Sequence, residues 1–210
     1  MASVDDRAAG RPASSVAGVV LAAGSSRRLG QPKQLLAYRG STLLEVTLAR
    51  VRSFGLAQTI VTLGGAAPEV RSSVDLAGVD VVDSVHHTEG CSSSIVAALS
   101  TVAPAVDGFL LFLGDQPHVS VEAVSALLAV DEATEIAVVR YRNDDIGHPF
   151  WFARSMFAPL AELHGDKAVW KLLESGRFTT AEVELDEPLP LDVDTWDDYE
   201  RLLAADTEPA

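Results

Sequence analysis

The chain has 210 residues, 48% apolar and 22% charged, which is enough for one domain with a sizeable core. A formal net charge of −14 argues against nucleic acid as a partner of the whole surface, and no apolar run approaches the roughly 18 residues of a membrane span. The single cysteine, Cys91, excludes an intrachain disulfide and favours a cytoplasmic protein.

The opening "MASVDDRAAGRPASS" has acidic residues and no apolar h-region, so 1–15 is read as a disordered lead-in rather than a secretory signal. Residues 16–23 form a buried strand ended by Gly24. "TLLEVTLARVRSFG" carries Leu43, Leu44, Leu48, Val51 and Phe54 near helical period, with Gly55 as a stop. "QTIVTLGG" is a second strand, "APEVRSSVDLAG" a helix with proline in its first turn, and "VDVVD" a third strand. "SSSIVAALSTVAP" is a helix with a serine cap, ended before Pro104. "GFLLFLGD", the most apolar strand, belongs at the centre of a sheet.

"SVEAVSALLAV" then reads as a helix, and "EIAVVRYR" and "HPFWFA" as strands separated by a polar loop. "GDKAVWKLLESG" is a helix, "TTAEVELD" a strand and "TWDDYERLLAA" a last helix capped by Thr195. The alternation predicts an α/β fold, a mostly parallel sheet with helices on both faces. Residues 140–187 depart from it and read as an insertion or substrate-facing lobe of the same domain, 16–204, with 205–210 as a tail. Ligands of such sheets bind at the carboxyl ends of the strands near a switch in strand order, here 22–24 and 113–115.

Charge is uneven along the chain. Between Arg27 and Arg52 stand six basic residues and one acidic residue, Glu45. In "LAAGSSRRLGQPKQLL" a glycine turn after a strand lets backbone N–H groups point at one spot, and Arg27, Arg28 and Lys33 can add charge-assisted hydrogen bonds. A solvated turn and a phosphate cradle fit this spacing equally; Walker A and G-x-G-x-x-G do not. "FLLFLGDQPH" delivers Asp115 at a strand's carboxyl end, where a carboxylate can hold Mg²⁺ or act as a turn or cap residue. In "LPLDVDTWDDYE", Asp192 and Asp194 share one face of an extended segment and could complete such a site, or Asp194 could simply cap the helix. His148 stands before a proline at the start of an aromatic strand, and Gly90, Cys91 and Ser93 lie at a helix N-terminus suited to an anion or ribose. Nothing around Cys91 marks it as a nucleophile.

As an ordered set, "LAAGSSRRLGQPKQLL", "EGCSSSI", "GDQP", "GHP" and "DVDTWDDY" resemble the motifs of MobA-like nucleotidyltransferases, most closely the molybdenum cofactor cytidylyltransferase branch, over about residues 16–204. The resemblance implies a Rossmann-like three-layer fold like that of nucleotide-diphospho-sugar transferases. It also implies Mg²⁺-dependent transfer of a nucleotidyl group, here CMP from CTP, to molybdopterin with release of pyrophosphate, serving a molybdenum hydroxylase. On that resemblance Leu21, Ala22, Ala23, Gly24 and Ser26 line the base and phosphate turn, joined by Gly90 and Ser93. Arg28 and Lys33 neutralise the triphosphate and with Asp115 form the catalytic set. Asp115 holds Mg²⁺ with Asp194 or Asp192, and His148 and Gln116 face the acceptor.

Ala23, where the guanylyltransferase branch more often has glycine, narrows the base site toward cytosine. Leu29 replaces the usual methionine, and Trp196 the usual proline of "D-T-P-E-D". The alternatives are an NAD(P)H-dependent oxidoreductase of the related group acting on a heteroaromatic substrate, a guanylyltransferase, and a non-catalytic module that presents cofactor.

Overall fold

The computed structural model describes residues 10–165 and 168–206. Strands β1 (Val16–Ala22), β2 (Ala37–Tyr38), β3 (Ser41–Thr42), β4 (Gln58–Leu63), β5 (Asp80–Asp83), β6 (Gly108–Leu113), β7 (Ile136–Arg140), β8 (Ile146–Ala153) and β9 (Thr180–Glu184) occur in that order. The helices are α1 (Leu43–Arg52), α2 (Ala67–Ser73), α3 (Cys91–Leu99), α4 (Val121–Leu128), α5 (Phe157–Ala161), α6 (Ala168–Glu174) and α7 (Trp196–Ala205). Seven strands form one sheet in the order β5-β4-β1-β6-β8-β7-β9, and β2 and β3 make a separate hairpin. Within the seven-stranded sheet all pairings are parallel except those of β8, which runs against β6 and β7.

Alternation along the central strands builds two cores. Val16 and Val20 of β1 and Leu110 and Phe112 of β6 face Leu44 and Leu48 of α1 and Leu127 of α4. Ala17 and Val19 with Phe109 and Leu111 face Ile95 and Ala98 of α3 and Leu160 of α5. Strands buried on both faces read as continuous apolar runs, which is why β1 and β6 stand out in the sequence. A third cluster joins Leu29, Leu36, Tyr38 and Leu43 to Val193 and Leu202. It seats the start of α7 on the segment that follows β1, and Leu29 fills the usual methionine position at similar volume.

The expected α/β class and the central place of β6 hold. Several local expectations do not. Residues 140–187 are no insertion: β8 lies within the sheet, between β6 and β7. Helix α3 is capped by Gly90 rather than a serine, because the chain enters at φ 113°, ψ 171°, where a side chain is strained. Helix α2 stops at Ser73, where Val74 turns extended and buries its side chain.

The lead-in is packed from Gly10 onward. Arg11 lies over the Trp151 ring at 4.5 Å and donates to Val130 O and Asp131 O. In the tail, Asp206 accepts from Arg39 at 2.5 and 2.8 Å and faces His118 at 3.1 Å. Residues 1–9 and 207–210, and Asp166 and Lys167 of the predicted "GDKAVWKLLESG" helix, lie outside the described residues. No helix among the described residues is long and apolar enough to cross a membrane.

Candidate active site

From β1 the chain passes to β4 and β5 on one side, then crosses back to β6 on the other, so strand order switches between β1 and β6. A cleft of about 560 Å³ opens over the carboxyl ends of these two strands. Gly114 lets them approach: a Cβ there would lie 2.9 Å from Ala22 Cβ and 3.1 Å from Leu21 O. The turn after β1, from Ala23 to Arg28, lines one wall, and its backbone N–H groups meet no acceptor among the described residues. Ser26 is held at φ 49°, and its Oγ accepts from Lys33 N at 2.9 Å, which closes the turn.

The charged end of the cleft gathers residues far apart in sequence. Lys33 Nζ donates to Asp115 Oδ2 at 2.5 Å and to Asp194 Oδ1 at 2.9 Å. Arg28 Nη2 reaches Asp194 Oδ2 at 2.8 Å. Asp115 also accepts from Val193 N at 3.2 Å. Burial opposes the charge on Lys33, yet the two carboxylates outweigh it and raise its pKa. The hydrogen bond from Lys33 holds the Asp194 carboxyl below the usual range, against burial and with help from Arg28. Asp194 is itself positioned by α7: Asp198 Oδ2 accepts from Thr195 N and Thr195 Oγ1 in a capping box and faces Asp194 N at 3.3 Å.

The donor set suits a hard divalent cation. Two carboxylates converge on a single ammonium, so their oxygens face a common point. Among the described residues no three His, Cys, Asp or Glu side chains form a metal cluster. Mg²⁺ and similar ions are held in this way, by one or two carboxylates together with waters and substrate phosphates.

Asp192 lines the same cleft but pairs with the Gln116 side-chain amide. Burial, then the charge of Asp115, push its pKa up to about 6. Between its unfolded value near 4 and about 6, the folded chain keeps a proton that the unfolded chain releases, so stability falls as pH rises through that window. In Asp192→Asn that fall is expected to disappear: melting temperature followed from pH 4 to 8 should gain most over wild type above pH 6. An unchanged profile would assign the ionisation elsewhere.

The structure brings together Leu21, Ala22, Ala23, Gly24, Ser26, Arg28, Lys33, Gly90, Asp115, Asp192 and Asp194. Three expected residues stand apart. Ser93 turns its Oγ back to Gly90 O at 2.8 Å, and its neighbour Ser94 lines the cleft instead. Gln116 is buried, with its amide donating to Pro190 O and Asp192. His148 is stacked on Phe150 at 4.2 Å outside the cleft lining, and burial lowers its pKa to about 4, which leaves it neutral.

Arg27 of the basic turn also lines the cleft, and so do His87, Thr88 and Gln34, to which the sequence reading gave no role. For Gln34 the available signal was its place beside Lys33. For His87 and Thr88 none existed, because a short 3₁₀ turn carries them to the site.

The model of the MobA-like NTP transferase domain matches residues 18–183. The chain belongs to this family. It is thus related to the molybdenum cofactor cytidylyl- and guanylyltransferases, and its fold is that of nucleotide-diphospho-sugar transferases. Among solved structures that the chain resembles, Rv0371c from Mycobacterium tuberculosis H37Rv is 53% identical with a TM-score of 0.84, the match covering 92% of this chain and 100% of that one. Rv0371c in complex with manganese matches with a TM-score of 0.80 at 50% identity, over 91% of this chain and 99% of that one. Nicotine blue oxidoreductase of Paenarthrobacter nicotinovorans is 31% identical over 197 residues, 90% of this chain and 96% of its own. Molybdenum cofactor cytidylyltransferase of Escherichia coli strain K12 is 23% identical over 184 residues, 86% of this chain and 92% of its own.

Proposed function

We propose that this MobA-like nucleotidyltransferase moves CMP from CTP to a molybdopterin-type phosphorylated acceptor and releases pyrophosphate. The observation that carries this reading is the convergence of Asp115 and Asp194 on Lys33 beside a turn of open backbone N–H groups. An acceptor phosphate oxygen attacks the α-phosphorus; the new P–O bond forms as the bond to pyrophosphate breaks. This reaction brings anions together and requires no protein nucleophile, so the residues act by positioning and charge neutralisation. Arg28 and Lys33 bind the triphosphate, and the turn from Ala23 to Arg28 orients it. Asp115 and Asp194 are the residues that would hold Mg²⁺ or Mn²⁺, which when bound supplies Lewis acidity and further charge neutralisation. A downstream molybdenum hydroxylase and a cytoplasmic setting accord with this reading.

A second reading rests on the likeness to nicotine blue oxidoreductase over most of both chains: the cleft would hold the phosphates of NAD(P)H for hydride transfer to a heteroaromatic ring. Thermal shifts with CTP, GTP and NADPH, each with and without Mg²⁺, separate the two. The transferase reading expects a Mg²⁺-dependent shift that is largest with CTP. A shift with NADPH alone, indifferent to Mg²⁺, would replace it with the oxidoreductase, and a larger shift with GTP would change the base.

A further inference from the structure

Gln34 follows Lys33 in the short 3₁₀ turn Lys33–Leu35, is 3% exposed, and borders the cleft. Its Nε2 donates to Ala22 O at 2.6 Å and to Gly24 O at 3.2 Å, while its buried Oε1 has no partner among the described residues. Flipping the amide would set its oxygen against two carbonyls, so the acceptors themselves determine its orientation. A buried polar atom without a partner costs stability. What the side chain contributes in this place is its two donor hydrogens, at the expense of the orphan oxygen.

What those donors accomplish follows from the two faces of the sheet. The turn that carries Gln34 packs through Leu35 on the face of α1 and α2, with Leu44 and Val70. Helix α3 packs on the other face through Ile95 and Ala98, and its N-terminal residues Cys91 and Ser94 form the opposite wall of the cleft. In a trans peptide the carbonyl and the N–H point in opposite directions. Drawing Ala22 O and Gly24 O toward Gln34 thus turns the N–H groups of Ala23 and Ser25 away from it. These N–H groups meet no acceptor among the described residues.

We propose that Gln34 is a positioning residue for the nucleotide: it pins two carbonyls of the turn after β1, and so presents the Ala23 and Ser25 N–H groups, already oriented, to the bound nucleoside triphosphate. The inference rests on the cleft's being the nucleotide site. Donors that hold the nucleotide equally in the ground state and the transition state set affinity more than rate, and this is the role assigned to the pair.

The test is titration of wild type, Gln34→Met and Gln34→Asn with CTP and Mg²⁺ by calorimetry, with melting temperatures and with KM and kcat for turnover. Gln34→Met keeps length and loses both donors; Gln34→Asn keeps the amide but cannot span both carbonyls. The expected result is a CTP Kd weakened roughly tenfold or more in Gln34→Met, an intermediate value in Gln34→Asn, and KM raised with kcat little changed. A purely structural role would lower the melting temperature and leave the Kd of the folded protein unchanged, which would overturn the proposal. If Gln34→Met does not fold, an unchanged Kd in Gln34→Asn overturns it equally. If wild type itself binds no nucleotide, the nucleotide-site reading fails, whatever the variants do.

Discussion

Asp115→Asn is expected to lower kcat for pyrophosphate release from CTP by about 10²- to 10³-fold while the protein stays folded. Asp115 sits at the end of β6, where the chain leaves the most buried part of the sheet, and it is 5% exposed. One of its oxygens accepts from both Lys33 Nζ and Val193 N. Asparagine can place its single oxygen there and keep both bonds, so the site retains its shape. The negative charge is lost, and with it one of the two carboxylates that suit a divalent cation. Asp115→Ala is a poorer probe, because it strips the buried Val193 N–H of its acceptor and mixes a folding defect with the chemical one. Steady-state pyrophosphate release by Asp115→Asn, with circular dichroism confirming the fold, checks the expectation. Turnover within about tenfold of wild type would remove Asp115 from the chemistry.

Lys33→Met is expected to weaken CTP binding by at least about 10²-fold, the loss of one strong charge-assisted contact in a partly buried site. It should also destabilise the protein by up to ~3 kcal/mol near neutral pH, the lower end for a broken buried pair because Asp194 remains half-exposed. The reason is geometric: among the described residues, loss of the ammonium leaves Asp115 with no cationic partner and Asp194 with only Arg28. The pH dependence follows from Asp194, whose folded pKa Lys33 holds below the unfolded value. That contribution is present above the unfolded pKa and is lost as pH falls through the folded one. The gap in stability between wild type and Lys33→Met should therefore be widest at neutral pH and narrow toward pH 3. Denaturant unfolding at several pH values measures it, and a gap that widens in acid would mean that Lys33 is not the counter-ion of the pair.

Much of this was legible in the chain itself. The runs of β1 and β6 are apolar without alternation because both faces are covered, and the apolar period of α1 matches the single face it buries. Lys33, Asp115 and Asp194 stand out as candidates because each lies beside an interpretable break, a glycine turn, a strand end or a helix cap, whereas only the resemblance to known motifs separates Arg28 from Arg27. Local misses have local reasons. The cap of α3 depends on the backbone angle at Gly90, which no residue pattern displays, and in the helix that follows it is Ser94 rather than Ser93 that lines the cleft. The strand β8 was recognised, but its place between β6 and β7 depends on antiparallel pairing that its own sequence does not encode.

By itself, then, the sequence determined the class of fold and a set of candidate charged residues, because hydrophobic period and turn chemistry are properties of neighbouring residues, while the family was legible only through the likeness of its ordered motifs to known ones. Only the tertiary structure decided which charges meet. Lys33 and Asp194 are joined because Leu29, Leu36 and Val193 bury together, bringing the start of α7 against the turn after β1. Gln34 gains its place because β1 ends beneath it with two carbonyls to satisfy. Such pairings follow from packing between segments distant in the chain, and the burial that enforces them is shared among residues that no local pattern connects.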